Sequence, residues 1–199
     1  MTVNFDDLEL LDAVSRFALE HEHPAVVRFA AAMREWGDEW SATAPVYHPA
    51  ADFLDTAARL PGSHGLVARF AVHKHRLRWE QSYTREDGLV PDAMLDGYAF
   101  AEIIGKHGPF VSSRIRAGLG VWGPGIDYPR HQHAAEEIYI PLAGMADFAI
   151  GDTPVRRQGV GDVVFVPSNT PHGFATGDEL LVVYYLWQAG DLRQKSNFS

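Results

Sequence analysis

The chain has 199 residues, of which 46% are hydrophobic and 22% charged, and this favours one globular domain with at most a modest extension. Its 26 acidic and 17 basic residues leave a formal net charge of −9, which argues against nucleic acid and anionic membrane surfaces as partners. The chain has no cysteine, which excludes disulfides, thiolate zinc sites and cysteine nucleophiles, so its ten histidines are the natural place to look for a metal site.

The N-terminal segment MTVNFDDLELLDAVSRF is acidic and lacks the basic stretch and apolar run of a secretory signal peptide. No part of the sequence approaches the roughly 18 uninterrupted apolar residues that a membrane-spanning helix needs. We therefore expect a protein of the reducing cytoplasm, without a membrane partner.

Up to about residue 76, apolar side chains recur at helical spacing. The first stripe predicts a helix and consists of Phe5, Leu8, Leu11, Val14, Phe17 and Ala18. After a break at His23-Pro24, the spacing predicts a second helix over residues 26–40, a third over residues 51–60 and a fourth over residues 64–77. None of these faces carries a recognisable site, so we interpret them as packing surfaces.

From Trp79 onward, short apolar runs alternate with glycine, proline and aspartate. The runs cover residues 98–104, 113–122, 137–142, 146–150, 163–167 and 180–187. Turn signals about every 8 to 12 residues are typical of a β-sandwich or barrel. The pattern predicts a helical N-terminal extension over residues 1–78 that packs on an antiparallel β-barrel over residues 79–199.

Histidines and a glutamate cluster in the run GIDYPRHQHAAEEIYIPLAG, which covers residues 125–144. Side chains alternate along a strand, so we expect His131 and His133 to face the same way, and Glu137 and Tyr139 to share a face of the next strand. If these strands close as a hairpin, two imidazoles and a carboxylate converge. That donor set is typical of a divalent metal site with open positions for substrate.

A second run, GDVVFVPSNTPH over residues 161–172, places His172 after an apolar strand and a proline-rich turn. A ligand from a separate strand is what a metal at the centre of a barrel needs. A single His-x-His pair is often only a polar strand face, but together with Glu137 and His172 it favours a metal site. The other histidines have no such neighbours, and we interpret them as surface or packing residues.

The two runs resemble the two signature motifs of the cupin superfamily. The first motif is complete: glycine, five residues, His-x-His, three residues, glutamate, six residues, glycine. In the second motif Asn169 replaces a glycine and Thr176 the final asparagine, and both departures concern turn geometry rather than ligation. The resemblance implies a mainly β fold, a single cupin barrel (a double-stranded β-helix, or jelly roll), with a bound metal.

The residues around these motifs resemble the bacterial cupin lyases that cleave dimethylsulfoniopropionate. The specific parts are Tyr128-Pro129 before the histidines and Tyr139 two residues after Glu137. Looser similarities are WEQSY at residues 79–83, GLGVWGPG at 118–125 and YLW at 185–187. The resemblance covers most of residues 79–190 and, more loosely, the helical region.

Carried over onto this sequence, the resemblance implies four ligands for one divalent metal ion: His131, His133, Glu137 and His172. It also makes Tyr139 and Tyr128 candidate catalytic bases, without deciding between them. The family reaction is an elimination that yields dimethyl sulfide and acrylate, so the implied partner is a small zwitterionic carboxylate. Imidazole and carboxylate suit Zn, Fe, Mn, Ni or Co alike. Whether the helical extension closes over the pocket or builds a homodimer stays open.

The elimination chemistry itself accounts for these residue types. A base must remove a weakly acidic proton next to the carboxylate, and a Lewis-acid metal stabilises the charge that develops there. A tyrosine, with an ordinary pKa of about 10, becomes a usable base where a nearby cation favours the phenolate. The sulfonium group needs an aromatic wall, and the candidates for it are Trp79, Tyr83, Trp122, Phe165 and Tyr185, with Trp187 also available.

A cupin fold does not by itself identify a reaction. The alternatives are an Fe(II)-dependent cupin dioxygenase, a lyase-like cupin with a different small carboxylate substrate, an isomerase or decarboxylase of small hydroxy or keto acids, and a ligand-sensing or storage cupin. The presence of all four candidate ligands argues against the last. The leading prediction is a metal-dependent lyase of the dimethylpropiothetin dethiomethylase type.

Overall fold

The computed structural model of the protein describes residues 4–33, 39–192 and 197–198. The helices in these ranges are α1 (Phe5–Leu19), α2 (Pro24–Met33), α3 (Phe53–Ala57), α4 (Gly65–His73) and α5 (Asp92–Gly97). Short 3₁₀ turns, Pro49–Asp52 and Lys74–Arg76, precede α3 and follow α4. No helix in the described ranges has the length and apolar character required to cross a bilayer.

The four predicted helices are present, with some different limits. Asn4 caps α1 by accepting the amide of Asp6 at 3.1 Å, which satisfies one of the amides left free at a helix start. The predicted second helix begins at Pro24, but its residues 34–38 lie outside the described ranges, and Trp40 forms an isolated β-bridge with Phe110. Helix α5 was not predicted, because its six residues are too short to show a helical period.

One large, mainly antiparallel sheet curls into the barrel. Its strands are β1 (Trp79–Glu80), β2 (Tyr98–Gly105), β3 (Phe110–Val111), β4 (Ile115–Trp122), β5 (Asp127–Gln132), β6 (Glu136–Ile150), β7 (Arg156–Gly159), β8 (Val164–Val166), β9 (His172–Ala175), β10 (Leu181–Gln188) and β11 (Asn197–Phe198). The order is β1-β2-β4-β10-β6-β9-β5-β11, with β3 on β2 and with β7 and β8 on β6. This confirms the predicted cupin barrel with a helical extension.

Strand β6 joins the two halves of the barrel. Its first half pairs with β10 and β8, and its second half pairs with β9 and β7. The sequence predicts two strands here, over residues 137–142 and 146–150, but the structure has one strand of 15 residues. The register between β6 and β10 shifts at Val182 and Val183, close to Gly144. The strand therefore continues through an irregularity at the point where the sequence predicts a break between two strands.

Both faces of the sheet are buried, and alternate residues serve two different cores. On β10, Val182, Tyr184 and Leu186 belong to the core shared with the helices. The intervening Leu181, Val183 and Tyr185 belong to the core inside the barrel. A strand position therefore decides whether a side chain packs under the helices or faces the interior.

The helical extension covers the outer face of the barrel. Helices α1 to α4 contact strands β2, β4, β6 and β10, and the Tyr184 hydroxyl donates a hydrogen bond to the Val14 carbonyl at 2.9 Å. Arg28 of α2 forms a two-pronged ion pair with Glu136 at the start of β6, at 2.7 and 3.2 Å. Helices and barrel thus share one continuous core, and a domain boundary between residues 78 and 79 stays a prediction.

Replacing Gly144 with alanine is expected to lower the free energy of unfolding by about 2–4 kcal/mol. Gly144 has φ +70°, and a Cβ added there would overlap the carbonyl oxygen of Leu180. The matched control is Gly159→Ala, where the nearest atom to an added Cβ is the Met145 Cβ at 3.8 Å. Urea unfolding followed by circular dichroism checks the difference, and equal effects of the two substitutions would contradict it.

Candidate metal centre

Three buried histidines converge inside the barrel. His131 lies on β5 and His172 begins β9, and the register pairs these two residues directly, with ring centroids 4.2 Å apart. His133 follows the end of β5, and its ring lies 5.0 Å from that of His172. One ring nitrogen from each histidine lies within 4.8 Å of the other two. The three donors are thus close enough together to contact a single ion.

Glu137 brings a carboxylate to the same point from β6. Its Oε2 lies 2.9 Å from Nε2 of His133 and 3.3 Å from Nε2 of His172. Burial raises the pKa of the Glu137 carboxyl, but the two imidazoles, which donate to it when Nε2 is protonated, outweigh that effect and lower the pKa far below its ordinary range. The carboxylate is therefore ionised and available as a fourth donor.

The second nitrogen of each ring is held by a backbone carbonyl. Nδ1 of His131, His133 and His172 lies 2.9 Å from the carbonyl oxygens of Pro129, Ala135 and Thr170, respectively. A carbonyl only accepts hydrogen bonds, so Nδ1 carries the proton in each ring, and Nε2 of the neutral imidazole keeps a lone pair. Outer-shell contacts of this kind orient histidine ligands in metal sites.

This arrangement fits a cation. Burial, together with the neighbouring His172, lowers the pKa of His131 to about 4, so its imidazole is neutral near pH 7. Nε2 of His172 is buried without a hydrogen-bond partner in the described part of the chain. When the rings are neutral, lone pairs on buried nitrogens face an ionised carboxylate, and this is unfavourable unless a proton or a metal ion lies between them. The donor set matches a divalent transition metal.

A small cavity of about 60 Å³, which opens to solvent, lies beside these donors. It is lined by Ser82, Phe100, Arg116, Trp122, Tyr128, His131, Glu137, Tyr139, Tyr185 and Trp187. The lining therefore combines candidate ligands, both predicted tyrosine bases and several aromatic rings. A small, partly apolar organic molecule suits such a space.

Both candidate bases are buried in this wall. Tyr139 shares the interior face of β6 with Glu137 and hydrogen-bonds to its carboxylate, and Tyr128 packs against the His131 ring at 5.0 Å. Burial is the main cause that raises the pKa of Tyr128 and Tyr139 well above the ordinary value. Each phenol is therefore neutral until something in the site stabilises its charged form.

The five aromatic residues predicted for the sulfonium wall are divided between the two cores. Trp122 and Tyr185 line the cavity, and Tyr83 is buried in the same interior core. Trp79 lies in the other core, where its indole donates to the Lys74 carbonyl at 2.8 Å. Phe165 faces helix α2 and packs 6.3 Å from Phe29. The structure thus places Trp79 and Phe165 outside the cavity, because their strand positions face the helices.

The structure also corrects how the ligands come together. The predicted hairpin between the two halves of the first motif is wrong among the described residues: β5 pairs with β9 and β11, while β6 pairs with β7, β8, β9 and β10. His131 reaches the site through its pairing with His172, and Glu137 reaches it along β6. The donors therefore converge across the barrel interior rather than along one hairpin.

Sequence reasoning missed three residues of the cavity wall, namely Ser82, Phe100 and Arg116. The sequence could have indicated Arg116, because it is the one basic residue in the apolar strand β4. Glu102 is likewise the one acidic residue in β2, and the two side chains form an ion pair. A lone charge in a strand that is buried on both faces indicates a partner or a ligand.

Comparisons with known proteins agree with this geometry. The model of the dimethylsulfoniopropionate lyase family matches residues 20–183. The dimethylsulfoniopropionate lyase DddQ of Ruegeria pomeroyi is 39% identical over 139 residues, which are 70% of this chain and 66% of that protein. The putative dimethylsulfoniopropionate lyase DddL of Cereibacter sphaeroides is 31% identical over 131 residues, 65% of this chain and 53% of the relative. The matched segments span less than two thirds of either relative.

Solved structures extend the similarity over nearly the whole chain. The crystal structure of DddQ from Ruegeria pomeroyi superposes with a TM-score of 0.85 at 29% identity, and it covers 99% of this chain and 98% of that one. A second structure, from a study of the lyases RdDddP and RnDddQII, superposes with a TM-score of 0.80 at 27% identity and covers 97% of both chains. The similarity includes the helical extension as well as the barrel.

Proposed function

Because the chain belongs to the dimethylsulfoniopropionate lyase family of cupins, we propose that it is a metal-dependent carbon–sulfur lyase. Its proposed substrate is dimethylsulfoniopropionate, and its proposed products are dimethyl sulfide and acrylate. The observation that carries the proposal is the convergence of three histidine nitrogens and the Glu137 carboxylate beside a cavity whose wall includes Tyr128 and Tyr139.

The residues proposed to hold one divalent metal ion are His131, His133, Glu137 and His172. The carbonyls that accept the Nδ1 protons keep Nε2 of each ring available for ligation. Zn, Fe, Mn, Ni and Co all suit this donor set. When bound, the ion supplies Lewis acidity for the substrate carboxylate and a positive charge that favours the phenolate form of a neighbouring tyrosine.

Tyr139 is the proposed base, because its hydroxyl contacts the Glu137 carboxylate within the proposed ligand set. The phenolate oxygen takes a proton from the carbon next to the substrate carboxylate. The electron pair of that C–H bond forms the new double bond, and the bond between the next carbon and sulfur breaks. The sulfur keeps the electron pair of the broken C–S bond and leaves as neutral dimethyl sulfide, while acrylate keeps the carboxylate. Tyr128 is the second candidate base.

The sulfonium group is proposed to lie against the aromatic end of the cavity. Trp122 and Tyr128 pack edge to face there, with ring centroids 5.5 Å apart, and Tyr98 stacks on Trp122 at 6.1 Å. Each aromatic face can stabilise a desolvated cation by about 0.5–2 kcal/mol. These rings also exclude water, which strengthens the electrostatic interactions at the carboxylate end of the substrate.

Removing the metal with a chelator is expected to lower dimethyl sulfide release by at least about 100-fold, and adding back a divalent metal is expected to restore it. The physical reason is that the proposed base and the substrate carboxylate both depend on the positive charge at the four donors. Headspace gas chromatography of the protein with dimethylsulfoniopropionate measures the release.

The control is the same mixture without protein, which gives the slow alkaline elimination. Release that never exceeds this background with any of the five candidate metals would overturn the lyase proposal. Metal-dependent release with an efficiency far below about 10⁴ M⁻¹s⁻¹ would favour a different small carboxylate as the substrate.

A further inference from the structure

A buried ion pair between Arg116 and Glu102 lies inside the barrel, apart from the four proposed metal ligands. The side chain of Glu102 is 1% exposed and that of Arg116 is 13% exposed. Nε of Arg116 donates to Oε2 of Glu102, while Oε1 accepts the amides of His107 at 2.6 Å and Gly108 at 3.3 Å. Buried charges are costly, so both groups call for an explanation beyond packing.

Glu102 is fully engaged, but Arg116 is not. A guanidinium carries five N–H donors. In the described part of the chain, Arg116 uses Nε for Glu102 and Nη1 for a long hydrogen bond to the Leu192 carbonyl at 3.4 Å. The remaining N–H groups make no hydrogen bond to the described residues, and the side chain lines the cavity together with Glu137 and Tyr185. Donors that stay free beside a cavity are suited to a ligand.

The surrounding residues hold the guanidinium in place. Its central carbon lies 4.8 Å from the centroid of the Trp187 ring, and the register puts Trp187 on β10 between Arg116 on β4 and Glu137 on β6. Trp187 in turn stacks on the His133 ring, with centroids 4.0 Å apart. Arg116 therefore lies level with Glu137 in the strand register, and its guanidinium packs against the Trp187 ring.

The opposite end of the same strand face is aromatic. Arg116, Gly118, Gly120 and Trp122 alternate along the interior face of β4, so the charged side chain and the indole lie at opposite ends of that face. The Trp122 ring lies directly over Gly120, where an added Cβ would overlap it. The cavity thus has a cationic donor at one end and rings suited to a cation at the other.

We propose that Arg116 is a carboxylate-binding residue, which takes the anionic group of a small zwitterion through its free N–H groups. Glu102 acts as a positioning residue that aims the guanidinium into the cavity. This inference deepens the proposed function and rests on it for the identity of the zwitterion. A planar guanidinium can bind a carboxylate through two parallel hydrogen bonds, which also orients the ligand.

The test measures carboxylate binding rather than turnover, with sodium propionate and the neutral isostere propionamide as probes. Isothermal titration calorimetry is run on the chelator-treated protein and on the zinc-loaded protein. In both, the natural chain is expected to bind propionate at least about 10-fold more tightly than propionamide. In the chelator-treated protein, Arg116→Gln is expected to remove most of that preference. Arg116→Lys is expected to keep part of it, because a lysine retains the charge but loses the planar fork.

The matched control is Arg114→Gln, which removes the same charge from an exposed position two residues away and is expected to change nothing. A preference for propionate that survives in chelator-treated Arg116→Gln, or that is absent from the chelator-treated natural chain, would overturn the inference. If Arg116→Gln does not fold by circular dichroism, an unchanged preference in Arg116→Lys would overturn it. If Arg116→Gln loses the preference for propionate but the natural chain releases no dimethyl sulfide, the inference about Arg116 stands and the proposed substrate is contradicted.

Discussion

Replacing His133 with alanine is expected to lower metal affinity by at least about 1000-fold and to reduce dimethyl sulfide release to the uncatalysed background. His133 is 2% exposed, its Nε2 contacts the Glu137 carboxylate at 2.9 Å, and its Nδ1 is oriented by the Ala135 carbonyl. Removal of the ring leaves two imidazoles and a carboxylate with a gap where the third nitrogen was. Metal content by mass spectrometry and headspace gas chromatography measure the two losses.

Two further variants separate ligation from packing. His133 also stacks on Trp187, so an alanine there can loosen the barrel interior. Glu137→Gln keeps the shape of its side chain but removes the charge, and it is expected to weaken metal binding with little change in thermal stability. His75→Ala is the matched control, since that ring is exposed and lies against Tyr47 at 6.1 Å. Full metal content in His133→Ala would contradict the proposed ligand set.

Replacing Tyr139 with phenylalanine is expected to lower kcat for dimethyl sulfide release by about 10²- to 10⁴-fold, the usual contribution of a positioned proton acceptor. The ring stays and keeps its contacts with Phe148 and Phe174, at 5.9 and 6.0 Å. Only the hydroxyl next to Glu137 is lost. We therefore expect the variant to fold and to keep its metal, while the rate of proton abstraction falls.

The comparison variant is Tyr128→Phe, at the second candidate base in the cavity wall. If Tyr139 is the base, Tyr128→Phe changes the KM more than it changes kcat, because its ring faces the proposed sulfonium site near Trp122. Metal content is measured for both variants. The opposite pattern, with turnover kept in Tyr139→Phe and lost in Tyr128→Phe, would assign the base to Tyr128.

The proposed metal donors could be predicted from the sequence because their geometry is largely local. Alternation along a strand places His131 and His133 on one side, and Glu137 follows within one short connection. His172 required the second motif. The pairing of the strands could not be predicted from such local patterns, because β5 and β6 are neighbours in sequence but pair with other strands. The convergence was predicted correctly, and the hairpin that was to produce it was not.

The aromatic wall shows why the remaining site could only be predicted in part. Tyr185 and Tyr184 are adjacent in the sequence, yet Tyr185 lines the cavity and Tyr184 bonds to helix α1. Both faces of the barrel are apolar because helices cover the outside, so hydrophobicity does not reveal which face points inward. For the same reason the sequence does not reveal that Trp79 and Phe165 face the helices.

By itself the sequence determined the fold class, the helical extension and the identity of the candidate metal donors. These follow from short-range patterns: strand alternation, helical spacing and motif spacing. Only the tertiary structure decided that Arg116, at the cavity wall, pairs with Glu102, because the pairing of β2 with β4 brings together residues that carry no mutual signal along the chain. In this chain without cysteine, local sequence patterns are sufficient to predict the proposed metal donors. The pairing of distant strands decides which other residues surround them.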